Sequence, residues 1–257
     1  MNITTKTDAE IKVMVEGGKR LVEVLRRIKA HIKPGTLLSS LEDVAIKACK
    51  DLDGKPSFLG YKDYPAASCI SVNHGIVHCV PDSYELKEGD IISVDFGFFY
   101  QGLHTDATIS WIVGKDIYNK MPLLKATYSA LMAGTSAVVA DVKVGDISQA
   151  IENALDTANF TIMRQFVGHG IGKELHESPV VPNFVGHDKD TVLPKGATIA
   201  IEPIAGTGTE DHFVSDDGWS VYTLDKQPVA HFEQTILVTD QGSQILTPIQ
   251  EILDFTS

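Results

Sequence analysis

Residues 91–111 constrain this chain more than any other stretch, because apolar and polar residues alternate on both sides of a central break. Ile92, Val94, Phe96 and Phe98 share one face, and Ser93, Asp95 and Gly97 share the other. Beyond the break, Ala107, Ile109, Trp111 and Val113 repeat the apolar face opposite Asp106, Thr108 and Ser110. A period of two on both arms predicts a β-hairpin with one face in a core. Asp95 and Asp106 are symmetric about Tyr100-Gln101. A turn closing there makes them direct cross-strand partners, with Cβ atoms roughly 5 Å apart. Like charges that close repel each other, and a cation between them removes the cost. The plainer alternative is two solvated aspartates on an exposed sheet face.

Further ligand types occur downstream. In V-G-H-G-I-G-K-E-L-H at 167–176, Gly168 and Gly170 flank His169, and His176 follows seven residues later. Small neighbours let the backbone bend and let another group approach closely. Gly168, Gly170 and Gly172 do not form a dinucleotide-binding fingerprint. Glu202 ends an apolar strand pattern at 197–203, and Glu233 lies inside another at 232–238. Each is a surface charge on the plain reading, but carboxylates in core-type strands need a partner when buried. Asp95, Asp106, His169, Glu202 and Glu233 together carry four negative charges, which two divalent cations balance. Mostly oxygen donors with one imidazole suit Mn²⁺, Fe²⁺, Co²⁺ or Zn²⁺ in a two-metal hydrolase. The set has no thiolate, so it is not a structural zinc site.

The organisation of the chain is α+β. Helical spacing runs over 8–31, through Ile11, Met14, Val15, Leu21, Val22, Leu25 and Ile28, with Thr7 or Asp8 as N-cap. K-P-G-T at 33–36 breaks it, and a second helix begins at Ser39 or Ser40. Strand patterns fill 66–113. Residues 116–140 read as a third helix, K-V-G-D at 143–146 as a second breaker, 148–158 as a fourth helix and 161–247 as strands. Gly35 and Gly145 lie 110 residues apart in the same context. This suggests an internal duplication, with halves at 8–114 and 115–247 in a single catalytic domain spanning 1–257. Chance recurrence of K-x-G before a helix is the rival explanation.

The 257 residues are 43% hydrophobic, enough for a large core. A formal charge of −12 without clustered Lys or Arg argues against nucleic-acid readout. Bound cations would offset part of that acidity, and solubility accounts for the larger part. The opening M-N-I-T-T-K-T-D-A-E has no apolar segment of the secretory kind, and no apolar run reaches the length of a membrane span. Cys49, Cys69 and Cys79 have neither CxxC spacing nor an even count. These features predict a cytoplasmic protein.

With the motifs in view, a resemblance emerges. S-V-D-F ending on Asp95, H-T-D-A at Asp106, G-H-G-I-G around His169, I-E-P at Glu202 and H-F-E-Q-T around Glu233 resemble the methionine aminopeptidase family. That family belongs to the pita-bread group with creatinase and the proline-directed peptidases. The resemblance runs from the first helix to about residue 240. It implies two pseudo-symmetric halves, with an antiparallel-rich sheet around a dinuclear metal site and helices outside. It implies two divalent metal ions (Co, Mn, Fe or Zn) held by Asp95, Asp106, His169, Glu202 and Glu233. Asp106 and Glu233 would bridge them, Asp95 serving one ion and His169 with Glu202 the other. His78 and His176 match the family's substrate-contacting histidines, whereas His74 matches no functional position. Tyr61, Tyr64, Cys69 and Trp219 map onto the methionine pocket, where aromatic rings and a thiol suit a thioether. Phe58, Phe166 and Leu175 depart from commoner choices around that pocket.

His169 and Glu202 are only 33 residues apart, which leaves no room for the helical insertion of type II enzymes and fits type I. The resemblance therefore implies removal of N-terminal methionine before small second residues, by a metal-bridging water or hydroxide. Glu202 would transfer the proton, His176 would stabilise the oxyanion and His78 would bind the substrate backbone. The implied substrates are nascent polypeptide N-termini, with the ribosome a candidate docking partner. No membrane or nucleic-acid partner is expected, and the protein is expected to be a monomer. One rival is a peptidase of the same fold that selects proline second. Another is a binding protein that has lost its metal ligands, although this chain keeps all five.

Overall fold

A capping box at Thr7 starts the first helix, α1 (Asp8–Lys29). The Thr7 hydroxyl accepts from the Glu10 amide at 3.3 Å, and the Glu10 carboxylate accepts from the Thr7 amide at 2.8 Å. Asp8 and Glu10 in its first turn, and Arg26, Arg27 and Lys29 in its last, complement the helix dipole. Its buried face carries Met14, Leu21, Val22, Leu25 and Ile28. Gly18 lies on the same face because a Cβ there would fall 2.0 Å from the Leu246 carbonyl oxygen. A glycine in a helix interior costs roughly 0.5–1 kcal/mol relative to alanine. Here it lets the helix approach the backbone at Leu246.

The computed structural model describes residues 3–186 and 188–255. The ends of the expected 1–257 domain, and position 187, lie outside the described residues. After α1 come α2 (Leu38–Asp51), β1 (Lys55–Pro56), β2 (Cys69–Val72), β3 (Gly75–Val77), β4 (Ile91–Tyr100) and β5 (Leu103–Ile112). Then follow α3 (Met121–Ala137), α4 (Val144–Ala158), β6 (Thr161–Ile162), β7 (Gly168–Gly170), β8 (Glu177–Val181) and β9 (Thr198–Ile201). The last strands are β10 (Ile204–Gly206), β11 (His212–Val214), β12 (Val221–Thr223), β13 (Val229–His231), β14 (Glu233–Thr239) and β15 (Gly242–Ile245).

Two helix starts depart furthest from the periodicity, while α1 ends at Lys29 and α2 begins at Leu38, close to the expected positions. The Asp116 carboxylate accepts from the Lys120 and Met121 amides, both at 2.8 Å, so 116–120 forms a turn that caps α3 rather than its first residues. The second break falls at 138–143, and α4 begins at Val144, inside the K-V-G-D stretch. Val144 and Ile147 are fully buried, and this apolar anchor draws the helix start upstream.

The main sheet runs β1-β4-β5-β14-β9-β7-β8, with β2 added to β4 and β15 to β14; its pairings are antiparallel. Three-stranded sheets β13-β10-β6 and β11-β12-β3 flank it. Phe96 and Phe98 of β4, Leu21 and Leu25 of α1, and Leu131 and Ile151 of α3 and α4 belong to one continuous apolar core. Among the described residues, no helix is long and apolar enough to cross a membrane.

The register of the central hairpin corrects the sequence expectation. Tyr100 pairs with Leu103, so the two-residue loop is Gln101-Gly102, at φ 47° and 89°. Two positive-φ residues define the type I′ geometry that matches strand twist, and glycine fits its second position. The turn therefore closes one residue later than symmetry about Tyr100-Gln101 requires. Asp95 pairs with Thr108, and Asp106 pairs with Gly97. The aspartates are diagonal neighbours rather than direct partners, and remain on one face because the offset is two residues. That face is not exposed: Ser93, Asp106, Thr108 and Ser110 are all buried.

Candidate metal centre and substrate cleft

β14 carries Glu233 beside the hairpin, pairing it with Thr108, and pairs on its other edge with β9, whose end leads into Glu202. β7 lies next to β9 and contributes His169 opposite Ala200. Strands β4, β5, β14 and β7, with the residue after β9 that lies between the last two, thus point Asp95, Asp106, Glu233, His169 and Glu202 into one cavity of about 270 Å³. Oxygen or nitrogen atoms of Asp106, His169 and Glu233 lie within 4.8 Å of one another.

The electrostatics of the cluster are unfavourable for bare charge. Burial raises Asp95 to about 7, and the neighbouring Thr108 and Asp106 offset this only in part. Burial, then the neighbouring carboxylates Glu233, Asp95 and Glu202, raises Asp106. Burial and carboxylate neighbours also raise Glu202 and Glu233. Asp95 Oδ1 is buried without a hydrogen-bond partner among the described residues. The Thr108 hydroxyl donates to Glu233 Oε2 at 2.8 Å and orients that carboxylate.

His169 is held neutral, pushed down to about 4 mainly by burial. Its Nδ1 lies 2.8 Å from the Gly170 carbonyl oxygen. A carbonyl only accepts, so Nδ1 carries the proton and the Nε2 lone pair faces the cavity. This is the tautomer of a metal-ligating histidine. The glycines beside it are required by packing. A Cβ at Gly168 would fall 2.3 Å from the Ala200 carbonyl oxygen, and one at Gly170 would fall 2.2 Å from that of Ser178. Four crowded carboxylates, an orphaned oxygen and a lone-pair imidazole fit divalent cations with mixed oxygen and nitrogen ligation.

The substrate candidates line the same cavity. His78, His176, Tyr61, Tyr64, Cys69 and Trp219 all contribute to its wall. Cys69 pairs with Asp95 across β2 and β4, which sets the aromatic pocket directly against the carboxylates. The rings of Tyr64 and Trp219 meet edge to face at 5.2 Å, and the Tyr64 hydroxyl donates to the Ser68 carbonyl at 3.0 Å. His176 Nδ1 lies 2.9 Å from the Tyr61 hydroxyl, and its ring centroid is 4.2 Å from that of His169. Desolvation on its packed side, then His169, pushes His176 down to about 3. His78 stands at φ 55°, and burial of its ring also lowers it.

Phe58 and Leu175 line the cavity as well. Phe166 does not: it packs against the cluster of Ile76, Val77 and Met163, with its ring 5.3 Å from that of His212. His74 stacks on Tyr222 at 5.0 Å, away from the carboxylates.

Sequence reasoning missed Lys62, at the cavity wall, and two histidines. His231 lines the cavity. His104 is not part of the wall but lies close enough to His176 to lower it, bonded through Nδ1 to the Ser57 hydroxyl at 2.8 Å and itself pushed down to about 4 by burial. A usable signal was present, since each stands two residues before a ligand candidate, in H-T-D and H-F-E. Within a strand that spacing puts both residues on one face.

The profile of metallopeptidase family M24 matches residues 12–240, and the chain belongs to that family. Its fold is the pita-bread fold. Among solved structures, methionine aminopeptidase from Thermotoga maritima superposes with a TM-score of 0.93 at 39% identity, covering 96% of this chain and 99% of that one. Methionine aminopeptidase of Clostridium perfringens is 37% identical over 248 residues, 96% of this chain and 100% of the relative. Methionine aminopeptidase 1 of Bacillus subtilis is 36% identical over 247 residues, again with 100% of the relative covered. Prolidase from Pyrococcus furiosus, at 19% identity and a TM-score of 0.77, shares the fold.

Proposed function

We propose that the chain is a type I methionyl aminopeptidase that removes N-terminal methionine from polypeptides whose second residue is small. The observation that carries this reading is the adjacency of two features in one cavity: a buried cluster of four carboxylates and an imidazole, and a wall of Tyr61, Tyr64, Cys69 and Trp219. The near full-length similarity to methionine aminopeptidases supports it.

Asp95, Asp106, His169, Glu202 and Glu233 would hold two divalent ions. When bound, such ions supply Lewis acidity and a nucleophilic water near neutral pH. Glu202 accepts and returns the proton of the attacking water. With the Tyr61 hydroxyl donating to His176 Nδ1, the neutral ring presents Nε2–H to the cleft, the form required of a donor to the scissile carbonyl oxygen. His78 binds the substrate backbone at the mouth. The aromatic wall and Cys69 enclose an unbranched thioether, which favours such neighbours. We further read 8–114 and 115–247 as duplicated halves of one domain. The protein acts as a cytoplasmic monomer on nascent polypeptide N-termini, with the ribosome as a docking candidate.

The test is a Met-X-Ser peptide series on metal-reconstituted enzyme, with chelated enzyme as control and release read by mass spectrometry. Cleavage is expected before Gly, Ala, Ser, Thr, Val, Pro or Cys, and absent before Leu, Lys, Arg or Phe. Steric exclusion discriminates strongly against bulk and only modestly among small residues. Efficient release before Lys or Phe, or full turnover by chelated enzyme, refutes the assignment. Preference for Ala-Pro over Met-Ala peptides selects the proline-directed alternative.

A further inference from the structure

One imidazole in the cleft has no part in the activity proposed above. His231 ends β13, is 3% exposed, and has a buried Nε2 with no hydrogen-bond partner among the described residues. Its backbone is fixed on both sides by one hydroxyl. The His231 amide donates to Ser110 Oγ at 2.8 Å, and Ser110 Oγ donates to the His231 carbonyl at 2.9 Å. From that anchored position Nε2 faces Glu202 Oε2 at 3.8 Å.

Glu202 lies between two imidazoles. His169 Nε2 stands 3.7 Å from Oε1, nearly the same distance on the other side. The two rings are not equivalent donors. The His169 proton is committed to the Gly170 carbonyl, so its Nε2 offers a lone pair and cannot donate to a carboxylate. His231 Nε2 has no such commitment and can carry the hydrogen. The Glu202 carboxylate accepts no hydrogen bond from the described residues, and Asp95 and Glu233 crowd it with like charge. A buried carboxylate in that position gains most from a single well-placed donor.

We propose that His231 is a positioning residue for Glu202, donating from Nε2–H to Oε2 and thereby turning Oε1 toward the metal-facing side next to His169. A charge-assisted bond of this kind spans about 2.7–2.9 Å, so the side chains close by about 1 Å. The proposal rests on the aminopeptidase reading only for the role it gives Glu202 in proton transfer; the predicted effect on metal binding stands without it.

The experiment compares the full-length wild type with His231→Leu, which removes the donor at similar volume, and His231→Gln, which restores an N–H. Thermal melts establish folding, and Mn²⁺ is titrated calorimetrically into the chelated proteins. Loss of a partner that orients a metal ligand typically costs 10–100-fold in affinity. His231→Leu is therefore expected to bind Mn²⁺ roughly 10–100-fold more weakly. At saturating metal its kcat on Met-Ala-Ser should fall, with KM nearly unchanged, and His231→Gln should recover most of both. Wild-type affinity and kcat in a folded His231→Leu overturn the proposal. So does a folded His231→Gln as defective as the leucine variant, since the ring itself would then be needed. If His231→Leu does not fold, His231→Asn replaces it: the shorter amide should bind Mn²⁺ more weakly than His231→Gln, and equal affinities overturn the proposal. The Mn²⁺ titration uses no peptide. Variants that follow the expected affinities in a protein that never cleaves methionyl peptides support this inference while refuting the activity.

Discussion

Titrating Mn²⁺ into the chelated protein at pH 6 sets the cation against protons held by the buried carboxylates. Asp95 is raised to about 7 by burial, so at pH 6 it is about nine-tenths protonated, whereas an ordinary aspartate would be about 1% protonated. Asp106, Glu202 and Glu233 are raised as well, by burial and by one another. His169, near 4, is already neutral and releases nothing. Metal ligation requires the ionised carboxylates, so binding at pH 6 should expel at least about one proton per protein, and more as the other carboxylates contribute. Each proton displaced makes the affinity rise about tenfold per pH unit below the governing pKa. The assay is calorimetry in several buffers of different protonation enthalpy, where the slope of observed against buffer enthalpy counts the protons. The same shifts fix a stability sign. The native state of the metal-free protein holds protons that the unfolded chain has released, so stability falls as pH rises from about 4 through 7 on this account. The depressed histidines act in the opposite direction, because the unfolded chain protonates them as pH falls toward about 6.5, but they are neutral in the native state with and without metal and so cancel from the metal-induced shift. Metal should therefore raise the melting temperature more at pH 8 than at pH 7. A zero slope at pH 6, together with an affinity unchanged between pH 6 and 8, refutes the reasoning.

Gly170→Ala puts a Cβ 2.2 Å from a backbone carbonyl that cannot rotate away. Overpacking of this kind costs about 1–3 kcal/mol, and roughly 2–4 °C of Tm per kcal/mol applies at this size. A loss of about 2–12 °C is expected, with weakened Mn²⁺ binding as β7 shifts His169. Unchanged melting and metal affinity would show that the β7–β8 contact is not tight. His176→Ala should lower kcat on Met-Ala-Ser by about 10²–10³ while metal content stays at the wild-type level, since the lost group is a donor to the oxyanion. If metal measured by atomic emission falls with activity, His176 is a ligand and its assigned role is wrong.

The candidate ligands were legible in the sequence because charge inside an apolar strand is a one-dimensional anomaly. Asp95 and Asp106 interrupt period-two strands, and Glu202 and Glu233 stand where core residues belong. The glycines around His169 announced a close approach, and Gly168 and Gly170 do meet neighbouring carbonyls. The first helix was equally legible, because Thr7 and Glu10 cap it through contacts three residues apart.

Quantities that depend on partners far along the chain were decided only by the tertiary structure. The hairpin register turned on positive φ at Gln101 and Gly102, a backbone property that symmetry of the aspartates does not encode. Whether the aspartate face met solvent or protein depended on β14 pairing with β5, some 125 residues away in sequence. The place of His231 against Glu202 required β13 and β10 to pair. Phe166 left the cleft for the same kind of reason, taken up by an apolar cluster on β3 and β10. Local windows record which residues carry a charge or an apolar face. Which of those faces become neighbours is set by the summed burial and hydrogen bonding of whole strands, and that sum exists only once the sheet has closed around the site.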